Sequence, residues 1–142
     1  MIAKEIVNAR THKKITMTKE LVDIIESAVG AKYFYKEHPE RNIFQAIRME
    51  VNQELQDIER ALPDAIDFLN PGGRLVVVTF HSLEDRLVKQ IFKKYSEVDP
   101  MVKGLPNIPQ EYQPKIRLIN RKPILPSTEE LKENSRSASA KL

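Results

Sequence analysis

The stretch Pro71-Gly-Gly-Arg-Leu-Val-Val-Val-Thr-Phe-His-Ser-Leu-Glu-Asp-Arg86 decides how the rest of this 142-residue chain is interpreted. A turn opens it, an apolar run from Leu75 to Phe80 follows, and ionisable residues begin directly after that run. A short, continuously apolar strand is typical of a parallel sheet that is covered on both faces. Open α/β sheets bind ligands at the carboxyl ends of their strands, so the residues after Phe80 are predicted to lie at a functional site.

Composition limits the class of protein. Hydrophobic residues make up 41% and charged residues 30% of the chain, and the net charge of +3 is compatible with RNA without indicating it. The absence of cysteine excludes disulfides and thiolate metal sites and fits a reducing cytosol. No apolar run approaches the ~20 residues that span a bilayer. The sequence therefore predicts a cytoplasmic protein with no membrane partner, and its histidines show no metal-ligand spacing.

Apolar periodicity predicts helices in the first half of the chain. A short helix is expected over Ile2–Arg10, and a second one from an N-cap at Thr18 to a stop at Gly30. The segment from Ala31 to Pro39 shows no clear period. The longest periodic stretch predicts one continuous amphipathic helix with a buried stripe: Ile43, Ile47, Val51, Leu55, Ile58 and Leu62. Pro63 is expected to end or kink it.

The second half alternates predicted strands and helices. After the first strand, Ser82-Leu-Glu-Asp85 has the form of a capping box before a helix that runs to about Tyr95. A proline-rich segment, 97–114, is predicted to be a functional loop. Lys115–Asn120 alternates as a strand does, and Ser127 is predicted to cap a short helix. The uncapped start and the strand-like last residues lead us to expect that both ends of the chain are cut.

Seven short motifs in chain order resemble the bacterial small-subunit ribosomal RNA cytosine-N4 methyltransferases. They are His38-Pro39, Phe44-Gln-Ala-Ile-Arg48, Val51-Asn52 with Glu54-Leu55, Pro71-Gly-Gly-Arg74, Phe80-His-Ser-Leu-Glu-Asp-Arg86, Lys122-Pro123 with Pro126-Ser127, and Ser139-Ala-Lys-Leu142. The resemblance implies an α/β enzyme in which a helical substrate domain interrupts a Rossmann-like methyltransferase domain. Residues 1–41 are then expected to be the remainder of the helical domain, and residues 42–142 the C-terminal part of the Rossmann-like domain.

The resemblance also implies a cofactor and a partner. The family depends on S-adenosylmethionine and acts on ribosomal RNA or the small ribosomal subunit; a homodimer is left open. The chain has only four glycines, and none belongs to a G-x-G phosphate or nucleoside loop. The cofactor-binding residues are therefore expected mostly in the family's N-terminal half, outside this chain. Two alternatives are a non-catalytic RNA-binding module and a truncated fragment without that half.

The strand-end residues are the candidates for catalysis. The lone pair of a cytosine amine is conjugated into the ring, so an acceptor for the amine proton must assist methyl transfer. The candidate catalytic residues are His81, Ser82, Glu84 and Asp85. The alternative is architectural: Ser82 and Asp85 cap the helix, Glu84 favours its N-terminal dipole, and Arg86 pairs with a carboxylate.

Candidate substrate-binding residues lie mainly on the long predicted helix. Gln45, Arg48 and Asn52 share one helix face, and with Arg86 they are predicted to contact the edge of the base and the phosphate; a solvated or inter-domain polar face is the alternative. Residues 32–36 interleave lysines and aromatics, as a stacking platform or a hydrophobic anchor would. A further set of basic residues predicts either a diffuse RNA-backbone surface or an ordinary solvated face: Arg117, Arg121, Lys122, Arg136 and Lys141.

Overall fold

The structure is a computed structural model that describes residues 1–120 and 122–142, and these residues are mostly helical. The chain divides into two compact units, Met1–Asn52 and Gln53–Leu142. Arg121 lies outside the described residues. None of the helices among the described residues combines the length and the apolar character needed to cross a bilayer.

Four helices form the first unit: α1 (Ile2–His12), α2 (Thr18–Val29), α3 (Ala31–Glu37) and α4 (Pro39–Asn52). Its core contains Leu21 and Ile25, one turn apart on α2, together with Phe34 of α3. Gly30 ends α2 at φ 82°, a conformation that glycine adopts without a steric penalty. The predicted stop at Gly30 is confirmed.

The start of α2 differs from the prediction by one residue. Thr18 is already helical, and Met17 occupies the N-cap position. The Glu20 carboxylate accepts hydrogen bonds from the backbone N–H groups of Thr16 and Met17, at 2.9 and 3.1 Å, and it pairs with Lys13. The Lys13 hydrogen bond, followed by the two backbone donors, lowers the pKa of Glu20 to about 2. The side-chain contact at this helix start therefore comes from Glu20, which accepts from backbone N–H groups before the helix, and the cap predicted at Thr18 is wrong.

The aromatic segment after Gly30 is helical although it shows no apolar period. It forms α3, which ends at His38 with φ 48°. The residue before a proline disfavours the right-handed helical region, and Pro39 suits the first position of the next helix. The His38-Pro39 pair therefore separates α3 from α4.

The second unit contains α5 (Glu54–Asp67), α6 (Ser82–Ser96), α7 (Thr128–Glu133) and two short 3₁₀ turns, Gln110–Tyr112 and Ser135–Ser139. Its buried apolar residues include Leu62 and Ile66 of α5 and Val88 of α6. Helices α5 and α6 pack against each other. Ser127 accepts a 3.1 Å hydrogen bond from the Glu130 N–H, so its predicted capping role is confirmed.

The prediction of one continuous helix through Ile43 and Leu62 is wrong. Gln53 adopts a left-handed conformation with φ 53°, which breaks the hydrogen-bonded ladder between α4 and α5. Ile47 and Val51, expected in the buried stripe, are 43% and 74% exposed. Pro63 lies inside α5, which continues to Asp67, so the helix does not end at this proline, and the alternative of a kink stays a prediction.

The predicted strand Leu75–Phe80 is not part of a sheet among the described residues. Only Thr79 forms a bridge, an antiparallel pair with Lys141 in which each N–H donates to the other residue's carbonyl at 2.8 Å. Val76, Val78 and Phe80 are 66%, 51% and 56% exposed, whereas the alternate residues are covered. The expectation of burial on both faces is therefore wrong for this structure, because the described residues cover only one face.

The segment Lys115–Asn120 does not pair as a strand in the described part of the chain. The backbone N–H groups of Lys115 and Ile116 instead donate to the Tyr95 carbonyl, at 2.9 and 3.3 Å. Lys115 also contacts the Tyr95 ring and lies 2.5 Å from the Asp67 carboxylate. This segment therefore satisfies the C-terminal end of α6, an interaction that alternating hydropathy does not reveal.

Candidate active site at the start of helix α6

The helix start after the Leu75–Phe80 run is built by a side-chain capping box. His81 has extended backbone angles, φ −142° and ψ 165°, and its Nδ1 accepts the Glu84 N–H at 3.3 Å. The Glu84 Oε2 reciprocates by accepting from the N–H groups of Phe80, at 2.8 Å, and His81, at 3.3 Å. The capping box predicted for Ser82 and Asp85 is therefore wrong by one residue, because Ser82 is already in the first helical turn.

The other ring nitrogen of His81, Nε2, is buried and forms no hydrogen bond with any described residue. Its Nε2 lies 3.2 Å from the Glu84 Oε1, but outside hydrogen-bond geometry. The His81 side chain is only 14% exposed. A buried polar group without a partner costs about 1–3 kcal/mol, and such groups in native proteins call for a functional or structural explanation.

Glu54 joins this site, although the sequence analysis did not select it as a site residue. It is the first residue of α5, directly after the left-handed Gln53. One oxygen of Glu54, one of Glu84 and a ring nitrogen of His81 lie within 4.8 Å of one another. The motif Glu54-Leu55 could have pointed to Glu54 as a site residue from the sequence. The helix break that places Glu54 at the start of α5 was not predicted.

The composition of this cluster also occurs at divalent-cation sites, but its protonation argues against one. A backbone N–H must be the donor to Nδ1, so neutral His81 carries its own proton on Nε2. A protonated nitrogen has no lone pair for a metal, whereas histidine ligates metals through a bare ring nitrogen. The Nδ1 cap therefore does not favour a metal ion on His81.

Asp85 is engaged in ion pairs. Its Oδ2 lies 2.8 Å from the Lys89 Nζ and 3.6 Å from the Lys141 Nζ. The hydrogen bond from Lys89, with a smaller contribution from Lys141, lowers the pKa of the Asp85 carboxyl below its ordinary value. Arg86 is exposed and forms no ion pair with any described residue, so its predicted carboxylate partner is not observed.

The substrate-binding candidates on α4 belong to the first unit. Gln45 is half-buried, and Arg48 and Asn52 are exposed. Their spacing does place all three on one face of α4, as the sequence predicts. Their contact with RNA stays a prediction, as does that of Arg86.

The aromatic and basic segment lies in α3 and has both buried and exposed aromatic side chains, so the anchor is observed and the stacking platform stays a prediction. Phe34 is a buried anchor, whereas Tyr33 and Tyr35 are exposed. An open hollow of about 510 Å³ is lined by residues that include Lys32, Tyr33 and Lys36. Among the other basic candidates, Arg117, Lys122 and Arg136 are exposed, Lys141 is half-buried, and Arg121 lies outside the described residues.

Comparison with known proteins identifies the class. The model of the MraW methylase family matches residues 1–142, and the chain belongs to this family. Over 142 residues the chain is 54% identical to a Streptococcus mutans serotype c protein named Ribosomal RNA small subunit methyltransferase H. The match covers 99% of this chain and 45% of that relative, so the chain spans less than half of the relative's length. The predicted family resemblance is confirmed.

Proposed function

We propose that this chain is the C-terminal part of an S-adenosylmethionine-dependent methyltransferase that modifies the N4 amine of a cytosine in small-subunit ribosomal RNA. The observation that carries the proposal is the largely covered His81 that caps α6 near Glu54 and Glu84, in a chain that is 54% identical to a protein named as a ribosomal RNA methyltransferase. The proposed partner is the small ribosomal subunit, and the proposed location is the cytoplasm. We keep the domain boundary between residues 41 and 42 as part of this proposal.

The proposed architecture is a Rossmann-like sheet that is completed by the rest of the protein. The alternation of covered and exposed residues along 75–80 supports it, because this is the side-chain period of a strand. Thr79 already pairs with Lys141. The exposed apolar side chains of Val76, Val78 and Phe80 would be covered by the remaining portion of the enzyme.

The surroundings of the glycines support a cofactor site outside this chain. Gly30, Gly72 and Gly104 are so open that an added Cβ would meet nothing within 4 Å, and one at Gly73 would meet only its own turn. Glycines of a cofactor loop instead let the backbone approach the ligand closely. S-adenosylmethionine supplies the methyl group in the proposed reaction, and we assign its binding to the other part of the protein.

Residues of this chain then accept the proton that leaves the substrate amine. The carboxylates of Glu54 and Glu84 are hydrogen-bond acceptors that an exocyclic amine requires, while His81 presents an N–H donor. Asp85 forms ion pairs with Lys89 and Lys141, so in this proposal it stabilises the site without accepting the amine proton. Arg48 and Arg86 are proposed to contact phosphates, which take charge-assisted hydrogen bonds from guanidinium groups.

Nucleoside analysis tests this proposal. The full-length protein is incubated with unmodified small ribosomal subunits and S-adenosylmethionine, and the RNA is digested and examined by mass spectrometry. We expect N4-methylcytidine. Methylation of another atom contradicts the assigned reaction, and tight RNA binding without any methylation favours the alternative of a non-catalytic RNA-binding module.

A further inference from the structure

The exposed side of α3 holds an aromatic ring next to two cations. Phe34 lies in the core of the first unit and is 6% exposed, whereas its neighbours on this helix are exposed. Tyr33 is 53% exposed and lines the open hollow together with Lys32 and Lys36. Tyr35 is also exposed, but its ring packs edge-on against Phe34 and does not line the hollow. Tyr33 is therefore the aromatic ring that the hollow offers to a ligand.

The position of Tyr33 is fixed because α3 is anchored along its length. The Phe34 N–H donates to the Gly30 carbonyl, and the His38 N–H donates to the Phe34 carbonyl, each at 3.0 Å. The buried Phe34 ring attaches the middle of the helix to the core of the first unit. A ring on an anchored element loses little conformational freedom when it binds a ligand, so Tyr33 is preorganised for stacking.

The two lysines of the hollow suit an anionic ligand. Lys32 and Lys36 are four residues apart, so they are neighbours on the surface of the helix. Lys36 pairs with Glu37 at 3.0 Å, and its side chain is 77% exposed. Ion pairs between exposed side chains are weak, so a phosphate can take the place of Glu37 beside Lys36.

We propose that Tyr33, Lys32 and Lys36 form a contact site for RNA in the first unit, in which an unpaired base stacks on the Tyr33 ring. Proteins that hold single strands combine aromatic rings for the bases with cations for the backbone. The hollow of about 510 Å³ lies within the range of roughly 300–1,000 Å³ that small-ligand sites span, so it has room for one base. The choice of RNA as the ligand rests on the proposed function, whereas the ring, the cations and the hollow do not.

Fluorescence tests the stacking directly, because the chain contains no tryptophan. Tyr33→Trp places a single indole ring at the hollow, and the probe is a single-stranded RNA of about ten nucleotides, a length that such sites cover. We expect the RNA to quench this fluorescence as a base stacks on the ring. Tyr112→Trp, at an exposed tyrosine of the second unit, is the control and should not be quenched. Absence of quenching in Tyr33→Trp, with or without RNA bound elsewhere on the chain, overturns the proposal.

Affinity measurements separate the ring from the cations. Tyr33→Leu should weaken binding of the same RNA about fivefold or more, as the loss of base–aromatic stacking does, whereas Tyr33→Phe should bind as the parent chain does. Lys32→Gln should make the affinity less dependent on salt, and Lys19→Gln, at an exposed lysine of α2 outside the hollow, should leave that dependence unchanged. Circular dichroism checks that each variant is folded.

The outcomes distinguish this site from the proposed reaction. Equal RNA affinity of folded Tyr33→Leu and the parent chain contradicts the stacking site, even where the full-length protein forms N4-methylcytidine. Quenching of Tyr33→Trp together with weakened binding by Tyr33→Leu supports the site, even where the full-length protein methylates no RNA.

Discussion

His81 has two separate tasks, one for each ring nitrogen. Its Nδ1 caps α6, and its Nε2 lies 3.2 Å from the Glu84 carboxylate. The sequence predicted the importance of this position, because it directly follows the Leu75–Phe80 run. It did not predict the cap, because Ser82 is the commoner capping residue and the register of the helix start depends on backbone angles.

Replacing His81 should separate its two tasks. His81→Ala should lower the free energy of unfolding by about 1 kcal/mol, as lost N-caps do. His81→Asn should retain most of that stability, because asparagine is a good N-cap, while it removes the ring N–H donor. Urea unfolding monitored by circular dichroism measures both. Ser82→Ala is the control and should be nearly neutral; an equal loss in Ser82→Ala would refute the capping assignment.

Asp85 should contribute stability that depends on pH. Its folded pKa is lowered by Lys89 and Lys141, so the contribution is present above the unfolded pKa of about 3.9 and is lost as the pH falls through the folded value. Asp85→Asn should therefore lower stability at pH 7, by less than about 1 kcal/mol, because solvent screens the ion pair with the exposed Lys89 and reaches the half-buried Lys141. The difference from the parent chain should shrink below about pH 4. Asp57→Asn, at an exposed and looser pair with Arg60, is the control. If Asp85→Asn remains less stable than the parent chain at low pH, the ion pairs of Asp85 with Lys89 and Lys141 are not the cause of the difference.

At the scale of elements, Gln53 decides where Glu54 lies. The apolar period through Ile43 and Leu62 continues across this residue, so periodicity alone cannot reveal the break. The left-handed conformation costs a residue with a Cβ about 1–2 kcal/mol, and glycine is free of that cost. The helices themselves were predictable from capping residues and apolar spacing, and the junction at His38 reflects the proline that follows it, whereas no residue type in the sequence marks the break at Gln53.

Substitution at Gln53 tests the break. Gln53→Val should lower the free energy of unfolding by about 1–2 kcal/mol, because a β-branched residue is a strong outlier at φ 53°. Gln53→Gly should be neutral or stabilising, since relief of strain offsets the larger entropy of the unfolded chain. Thermal unfolding of the two variants is the measurement. A destabilising glycine combined with a tolerated valine would show that α4 and α5 form one helix in solution.

For the whole molecule, the exposed side of the Leu75–Phe80 run is the most informative surface. Val76 and Val78 are largely exposed, and a strand with an uncovered apolar side tends to pair with other chains. The sequence predicted a strand here, but it did not predict that the described residues cover only one of its two faces. Burial depends on neighbours, and the described residues contribute only Lys141 as a backbone partner for Thr79.

The double substitution Val76→Thr with Val78→Thr should reduce self-association of this chain. Its stability should change by less than about 0.5 kcal/mol, because exposed positions contribute little to folding. Sedimentation measurements over a range of concentrations report the association. Val51→Thr, at an exposed apolar residue of α4, is the control and should leave association unchanged. Equal self-association of the double variant and the parent chain would show that the chain does not associate through the exposed side of the Leu75–Phe80 run.

The measurement that tests the central proposal most directly is methyl transfer by a chimera. This chain replaces the matching portion of the Streptococcus mutans relative, with which it shares 54% of its residues. In single-turnover assays with unmodified small ribosomal subunits and S-adenosylmethionine, we expect the chimera to methylate the RNA. We expect its His81→Asn variant to bind both substrates normally but to react about a hundredfold more slowly, as when a preorganised donor is removed. Methylation by the His81→Asn chimera at the parent rate would contradict the role of this cluster in the reaction.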